Sequence, residues 1–285
     1  MLRRDFIKVL AAATALPSFA MGKSSSADPN RIVIFSDTHV HPDGYQTDAF
    51  AARIKTLLAM DPLPAHLLLY GDFAYLFGKE EDYKTLRPFM EQVEKAGIQW
   101  DLSFGNHDRR EAFFKIFPER VQEKPNVPGK YVSIVKTQYA DFIMLDSLVE
   151  GKVPGAVDDT QKKWLADTLK GYSKPVFTGS HHPLHEVGIA DILNSSKWSA
   201  GYIHGHNHYW KTSVESNIQT LCLPSTGHWG DIGYTVLDLS EKEAVFSLKM
   251  LDFYYPKPAE SPRPEWIAEI EKKTGSTFKV SLPVK

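Results

Sequence analysis

The sequence predicts an α/β fold built on two packed sheets. Three observations carry this. From Arg31 onward, short apolar runs alternate with segments of helical periodicity, the signature of strands joined by helices. From Thr220 onward, three apolar runs follow one another without a long helix between them, as consecutive strands do. No repeat and no domain-scale linker interrupts the chain, so residues 31–285 read as one domain.

Composition agrees. The 285 residues are 42% hydrophobic and 24% charged, with 18 Gly and 18 Pro, which excludes disorder, collagen-like repeats and coiled coil. A formal charge of −2 and a pI near 6.6 provide no basic field for a nucleic-acid partner. The single cysteine, Cys222, excludes an intramolecular disulfide and reads as a small buried hydrophobe.

Residues 1–30 read as an export signal with a polar spacer. Arg3-Arg4 is followed by Phe6, Ile7 and Lys8, then by the apolar run Val9–Ala20, and Ser18 and Ala20 suit the −3 and −1 positions of a cleavage site. The run is too short to span a membrane, and the pattern resembles a bacterial Tat signal. Its removal leaves no membrane anchor and places the protein in the periplasm or outside the cell.

Strand candidates then follow in order: Arg31–Phe35, Leu67–Tyr70, Asp101–Phe104, Tyr131–Val135, Phe142–Leu145, Pro175–Thr178, Tyr202–Ile203, Thr220–Leu223, Tyr234–Leu239 and Ala244–Leu251. Helices are expected over Thr47–Met60, Glu80–Lys95, Asp159–Leu169 and Glu265–Lys273. The third opens where Asp158 or Asp159 can cap it and stops before Gly171. Phe113, Phe114 and Phe117 form a helix face packing on a sheet.

Chemistry lies at the strand ends. Asp37 and His39 follow the first strand, Gly71-Asp72 the second, and Gly105-Asn106-His107-Asp108 the third. His181-His182 follows Pro175–Thr178, and His204-Gly205-His206-Asn207-His208 follows Tyr202–Ile203. In α/β sheets ligands bind beyond the carboxyl ends of strands, so the five loops are expected to converge. Mixed carboxylate, amide and imidazole donors suit Mn, Fe or Zn better than Ca or Mg. Adjacent glycines let the backbone approach closely.

This ordered set resembles the calcineurin-like metallophosphoesterase superfamily, most closely its class III cyclic-nucleotide phosphodiesterase and glycerophosphodiesterase branch. The resemblance implies a four-layer α/β/β/α sandwich of two mixed β-sheets. It implies two divalent or trivalent metal ions: Asp37, His39 and His208 on the first, Asn106, His181 and His206 on the second, and Asp72 bridging them. It further implies that a metal-bridging hydroxide attacks a small-molecule phosphate ester, a phosphodiester in preference to a monoester. His107 would contact the phosphate and protonate the leaving oxygen, and Asp108 would support its loop.

Several alternatives stay open. His182 competes with its neighbour His181, which is preferred on alignment with the family. Tyr75 matches the iron-binding tyrosine of purple acid phosphatases, but His39 fills that coordination slot, so Tyr75 reads as a packing residue. An acid-phosphatase-type monoesterase, a non-catalytic metal sensor and a homodimer are not excluded. His41, His185 and His228 read as solvated or core residues before pocket residues.

Overall fold

The computed structural model describes residues 27–250, 268 and 271–283. The expected export signal lies outside these residues, as does most of the expected C-terminal helix, of which Ala268 and Glu271–Lys273 are described and helical.

In chain order the elements are β1 (Asp28–Phe35), α1 (Tyr45–Leu58), β2 (Pro64–Tyr70), α2 (Glu80–Lys95), β3 (Gln99–Ser103), α3 (Arg110–Ile116), β4 (Ser133–Val135) and β5 (Asp141–Met144). They continue with α4 (Asp159–Lys170), β6 (Val176–Gly179), α5 (Leu184–Val187), α6 (Ala190–Asn194), β7 (Ser199–His204), β8 (Lys211–Glu215) and β9 (Ile218–Cys222). β10 (Gly233–Leu239), β11 (Glu243–Met250) and β12 (Thr277–Ser281) close the series. β1 starts earlier than the apolar run announces: Asp28 pairs with Pro64 across a register shift before the regular ladder begins at Ile32.

Two six-stranded sheets result, in the orders β12-β11-β10-β1-β2-β3 and β4-β5-β6-β7-β9-β8. β1, β2 and β3 run parallel, as do β5, β6, β7 and β9, with antiparallel strands outside them. Strand alternation sorts the side chains. Ile32, Ile34, Leu68 and Tyr70 point between the sheets, against Phe142, Met144, Phe177 and Phe246. Val33, Phe35, Leu67 and Leu69 point the other way, into a core with Phe50, Ile54, Leu86 and Met90 of α1 and α2. Ile143 and Tyr202 meet Leu165, Leu184 and Leu193 of α4, α5 and α6 on the far face. The layers are therefore α/β/β/α, with two mixed sheets.

The caps follow from local chemistry. Asp158 Oδ1 accepts from Gln161 N–H at 2.9 Å and opens α4, and Gly171 ends it. Two strands carried no apolar signal. β8 is almost wholly exposed and is held by its ladder to β9 through a two-residue hairpin, Ser216-Asn217, both at positive φ (49° and 65°). Among the described residues β12 pairs only with β11, and within the strand only Val280 is buried. Such edge strands are specified by their partners more than by their own hydrophobicity.

Candidate active site

The parallel strands of both sheets deliver their carboxyl-terminal loops to one place. The loops after β1 and β2 are stitched together: Asp37 N–H donates to the Gly71 carbonyl at 3.0 Å, His39 N–H to Asp72 at 2.9 Å, and Val40 N–H to Phe73 at 2.7 Å. Within the second sheet, the loops after β6 and β7 are joined where Gly205 N–H donates to the His181 carbonyl at 3.0 Å. His206 N–H reaches both Asp37 carboxylate oxygens at 3.2 Å.

Seven of the expected donors meet there. Asp37 Oδ1 lies 3.1 Å from His208 Nε2, which is 3.4 Å from His39 Nε2. Asp72 Oδ2 lies 3.2 Å from His181 Nε2 and 3.8 Å from His39 Nε2. Asn106 Oδ1 stands 3.2 Å from His181 Nε2 and 3.0 Å from His206 Nδ1. Donor atoms of Asp37, His39 and His208, and separately of Asp37, Asp72 and His181, lie within 4.8 Å of one another, close enough to hold a metal ion.

Three of these imidazoles are locked. The Nδ1 atoms of His39, His181 and His208 lie 3.1, 2.7 and 2.9 Å from the carbonyls of Tyr75, Tyr70 and Trp229. Each carbonyl accepts the Nδ1 proton, so Nε2 is the nitrogen that faces the cluster and can ligate a cation once it is deprotonated.

The backbone is strained at the same positions. Asp37, His39, Asp72, His206 and His208 all have positive φ, between 46° and 68°, a conformation costing about 1–2 kcal/mol for a residue with a Cβ. Strain of this kind concentrates where geometry serves chemistry. Gly205 permits the closest approach: a Cβ there would meet Ser36 Oγ at 2.0 Å and Asp37 Oδ2 at 2.6 Å. Ser36 Oγ is itself held between Asp37 Oδ2 and the Tyr70 carbonyl and cannot swing away without loss. Gly205→Ala is therefore expected to lower stability by about 1–3 kcal/mol and to reduce metal content. Unchanged values in chemical denaturation and elemental analysis would refute this.

The electrostatics are those of buried charges that need partners. Burial alone would raise Asp37, but His208 and His181 outweigh it and hold the carboxyl low. Asp72 likewise stays well below the usual range despite burial, owing to His181, His39 and His107. Burial pushes His39 down to about 3. His181 is lowered by burial but raised more by Asp72 and Asp37, to about 10. Two buried carboxylates that remain ionised suit cations.

His107 differs from the locked rings. Its Nε2 is 3.9 Å from Asp72 Oδ2 with the side chain 26% exposed, and its Nδ1 has no partner. Its backbone N–H donates to Asp72 Oδ1 at 2.8 Å. Asp108 is fully buried and turned into the scaffold: Oδ1 accepts from Phe73 and Ala74 N–H and from the Tyr83 hydroxyl, and Oδ2 from Gly105 N–H. Burial and the charge of Asp72 raise its pKa.

His182 lies close enough to His181 and His206 to share an ion with them, yet both its nitrogens are engaged, Nδ1 with Ser147 Oγ at 2.7 Å and Nε2 with the Val153 carbonyl at 3.0 Å. Its ring stands at 89° to that of His181. The Tyr75 ring packs near His41 and His228. His185 is exposed beside Glu215, away from the cluster. His204 bonds the Gly205 carbonyl, and Cys222 is buried beneath Gly205, its thiol pushed up to about 12 by burial.

His228 is more closely involved than its isolated place in the sequence announces. Its ring is 4.4 Å from that of His39, and its Nδ1 lies near Tyr45 and Gln46. The aromatic and polar residues around it come from distant segments, so no local motif marks it.

Paired carboxylates, an amide and locked imidazoles at the shared edge of two sheets define a class, the metal-dependent phosphoesterases. The chain belongs to the calcineurin-like phosphoesterase family, whose profile matches residues 30–210. It is 26% identical over 170 residues to a protein of Rhodopseudomonas palustris named a probable cyclic nucleotide phosphodiesterase, covering 56% of this chain and 59% of that one. A Psychrobacter protein of the same name is 23% identical over 198 residues, covering 63% and 57%. The chain thus spans less than two thirds of these relatives. The fold matches purple acid phosphatase PPD1 of yellow lupin (Lupinus luteus) with a TM-score of 0.57 at 12% identity, over 90% of this chain and 54% of that one. It matches GAP50, the anchor in the inner membrane complex of Plasmodium, with a TM-score of 0.55 at 12% identity, over 90% and 89%. At that identity the two structures bear on the fold alone. Among the described residues no helix is long and apolar enough to cross a membrane.

Proposed function

We propose that this protein is an exported phosphodiesterase with a dinuclear metal centre. The observation that carries the reading is the convergence of seven donors from five loops, three of them rings with Nδ1 already committed to a carbonyl. Asp37, His39 and His208 would hold one cation, Asn106, His181 and His206 the other, and Asp72 both. The donor set fits Mn, Fe or Zn, being mixed in oxygen and nitrogen and free of thiolate.

Bound cations supply Lewis acidity toward the phosphate and a water of lowered pKa. The chain's own residues do the rest. Asp37 and Asp72 bring the negative charge that balances the cations. His107, unlocked and partly open to solvent, holds a proton at Nε2 for the leaving oxygen. Asp108 is a positioning residue that ties the His107 loop to the loop after β2. His181 serves as ligand in preference to His182, whose nitrogens are both occupied. Tyr75 acts through its carbonyl on His39 and its ring packs.

The relatives' name favours a phosphodiester, and cyclic or nucleotide diesters are candidate substrates. The test is a phosphoester panel run after metal reconstitution, with metal counted per chain. Expected are two ions per chain and faster turnover of bis(p-nitrophenyl) phosphate than of p-nitrophenyl phosphate. Reversed preference would turn the reading to an acid-phosphatase-type monoesterase. Two ions without turnover of any ester would turn it to a metal sensor.

Export rests on the Arg3-Arg4 pair and the apolar run after it. Replacing both arginines by lysine is expected to leave the full-length chain in the cytoplasmic fraction. Wild-type amounts in the periplasm after that change would overturn the assignment.

A further inference from the structure

Beside the metal-ligand cluster lies a cavity of about 230 Å³ lined by His41, Tyr75, Leu76, Phe77, Lys79 and Asp82. Nothing in the phosphoryl chemistry above uses it. Tyr75 joins the two. Its carbonyl bonds His39 Nδ1 at 3.1 Å, while its ring lies 5.4 Å from that of His41 and 5.9 Å from that of His228.

Two features give the cavity the character of a binding site. The first is Phe77, 65% exposed, next to Leu76 at 42%. Adjacent apolar side chains left open at the mouth of a cavity mark a contact surface better than scattered ones do. The second is a polar edge of fixed orientation. Asp82, 2% exposed, engages His41 Nδ1 at 3.0 Å, which leaves Nε2 as the ring nitrogen for a ligand. Lys79 adds a cation at the rim.

Size limits the occupant. Pockets enclosing a whole drug-sized ligand run to about 300–1,000 Å³, so this cavity accepts one ring system, not a complete nucleotide. Aromatic walls favour a flat ring with a hydrogen-bonding edge over a flexible polyol.

We propose that this cavity is the subsite for a planar aromatic group of the ester, Phe77 and Tyr75 supplying its walls and His41 one polar contact, while the phosphate occupies the cluster. The inference rests on the phosphoesterase reading. It makes the chain selective for aryl-bearing or base-bearing diesters over alkyl and glycerol diesters.

The test is calorimetric titration of the metal-loaded protein with methylphosphonate and phenylphosphonate, which share an anion and differ by the ring. Wild type is expected to bind phenylphosphonate about 5–10-fold more tightly. Phe77→Ala should shrink that gap to about twofold or less without changing methylphosphonate binding, and Phe77→Tyr should keep it. Equal binding of the two ligands by wild type, or an undiminished gap in Phe77→Ala, overturns the subsite and leaves the phosphoesterase reading standing. Loss of the gap in Phe77→Tyr as well overturns the ring-stacking role. Failure of both phosphonates to bind overturns the phosphoesterase reading together with the subsite. A change in sedimentation of Phe77→Ala with the gap intact would assign the loop to contact between copies of the chain, and also overturns it.

Discussion

Asp72→Asn is expected to lower phosphodiesterase turnover by at least about 10³-fold and to leave fewer than two metal ions per chain. The size follows from the several kcal/mol that metal ions contribute to stabilising a phosphoryl transition state, at about 1.4 kcal/mol per factor of ten. Asp72 stands between the two halves of the cluster, 3.2 Å from His181 and 3.8 Å from His39. Together with Asp37, it also outweighs burial at His181. Without its charge, both halves lose a shared anion and His181 loses its closest counter-charge. The asparagine variant is the informative one, because an amide oxygen can still accept the His107 N–H that Asp72 Oδ1 accepts at 2.8 Å. The fold is thereby preserved while the charge is removed. Two ions per chain in the folded variant, measured by elemental analysis, would refute the bridging role.

His107→Ala is expected to slow turnover about 10²–10⁴-fold, the range for loss of a general acid, with metal content unchanged. His39, Asp72 and His107 do lie close enough to share an ion. What separates His107 from the ligands is its unheld ring, with Nδ1 unpartnered, whereas His39, His181 and His208 are each pinned by a carbonyl. A ring that donates a proton must be free to adjust as the leaving oxygen departs, while a ligand gains from being fixed. The loop's backbone bond to Asp72 survives truncation of the side chain, so the metal site should too. The comparison to make is between a good and a poor leaving group. The defect should be largest for the poor one, and an unchanged rate there would remove His107 from the chemistry.

Much of the fold was legible because strand and helix signals are local. Residues Glu80–Lys95 form one helix with the periodicity visible in the sequence, and Asp158 caps α4 through its own side chain. β8 and β12 were not legible, since an edge strand that buries little leaves no hydrophobic trace. Loop convergence was inferable from the rule that ligands gather at strand ends, and the structure brings the five loops together.

The sequence by itself determined the donor types, their order and their place after apolar runs. Those depend on residue identity and nearest neighbours. Tertiary structure decided which ring nitrogen faces the cluster, and that His182 is engaged elsewhere while His181 is not. It also decided that Asp108 faces inward to a scaffold and that the His228 ring lies tilted against that of His39. Each of these depends on carbonyls, hydroxyls and rings from remote segments: His39 and His208 meet across 169 residues, and His182 is held by Ser147, 35 residues earlier. A side chain's identity is written at its position, but its orientation is set by whatever the fold packs against it.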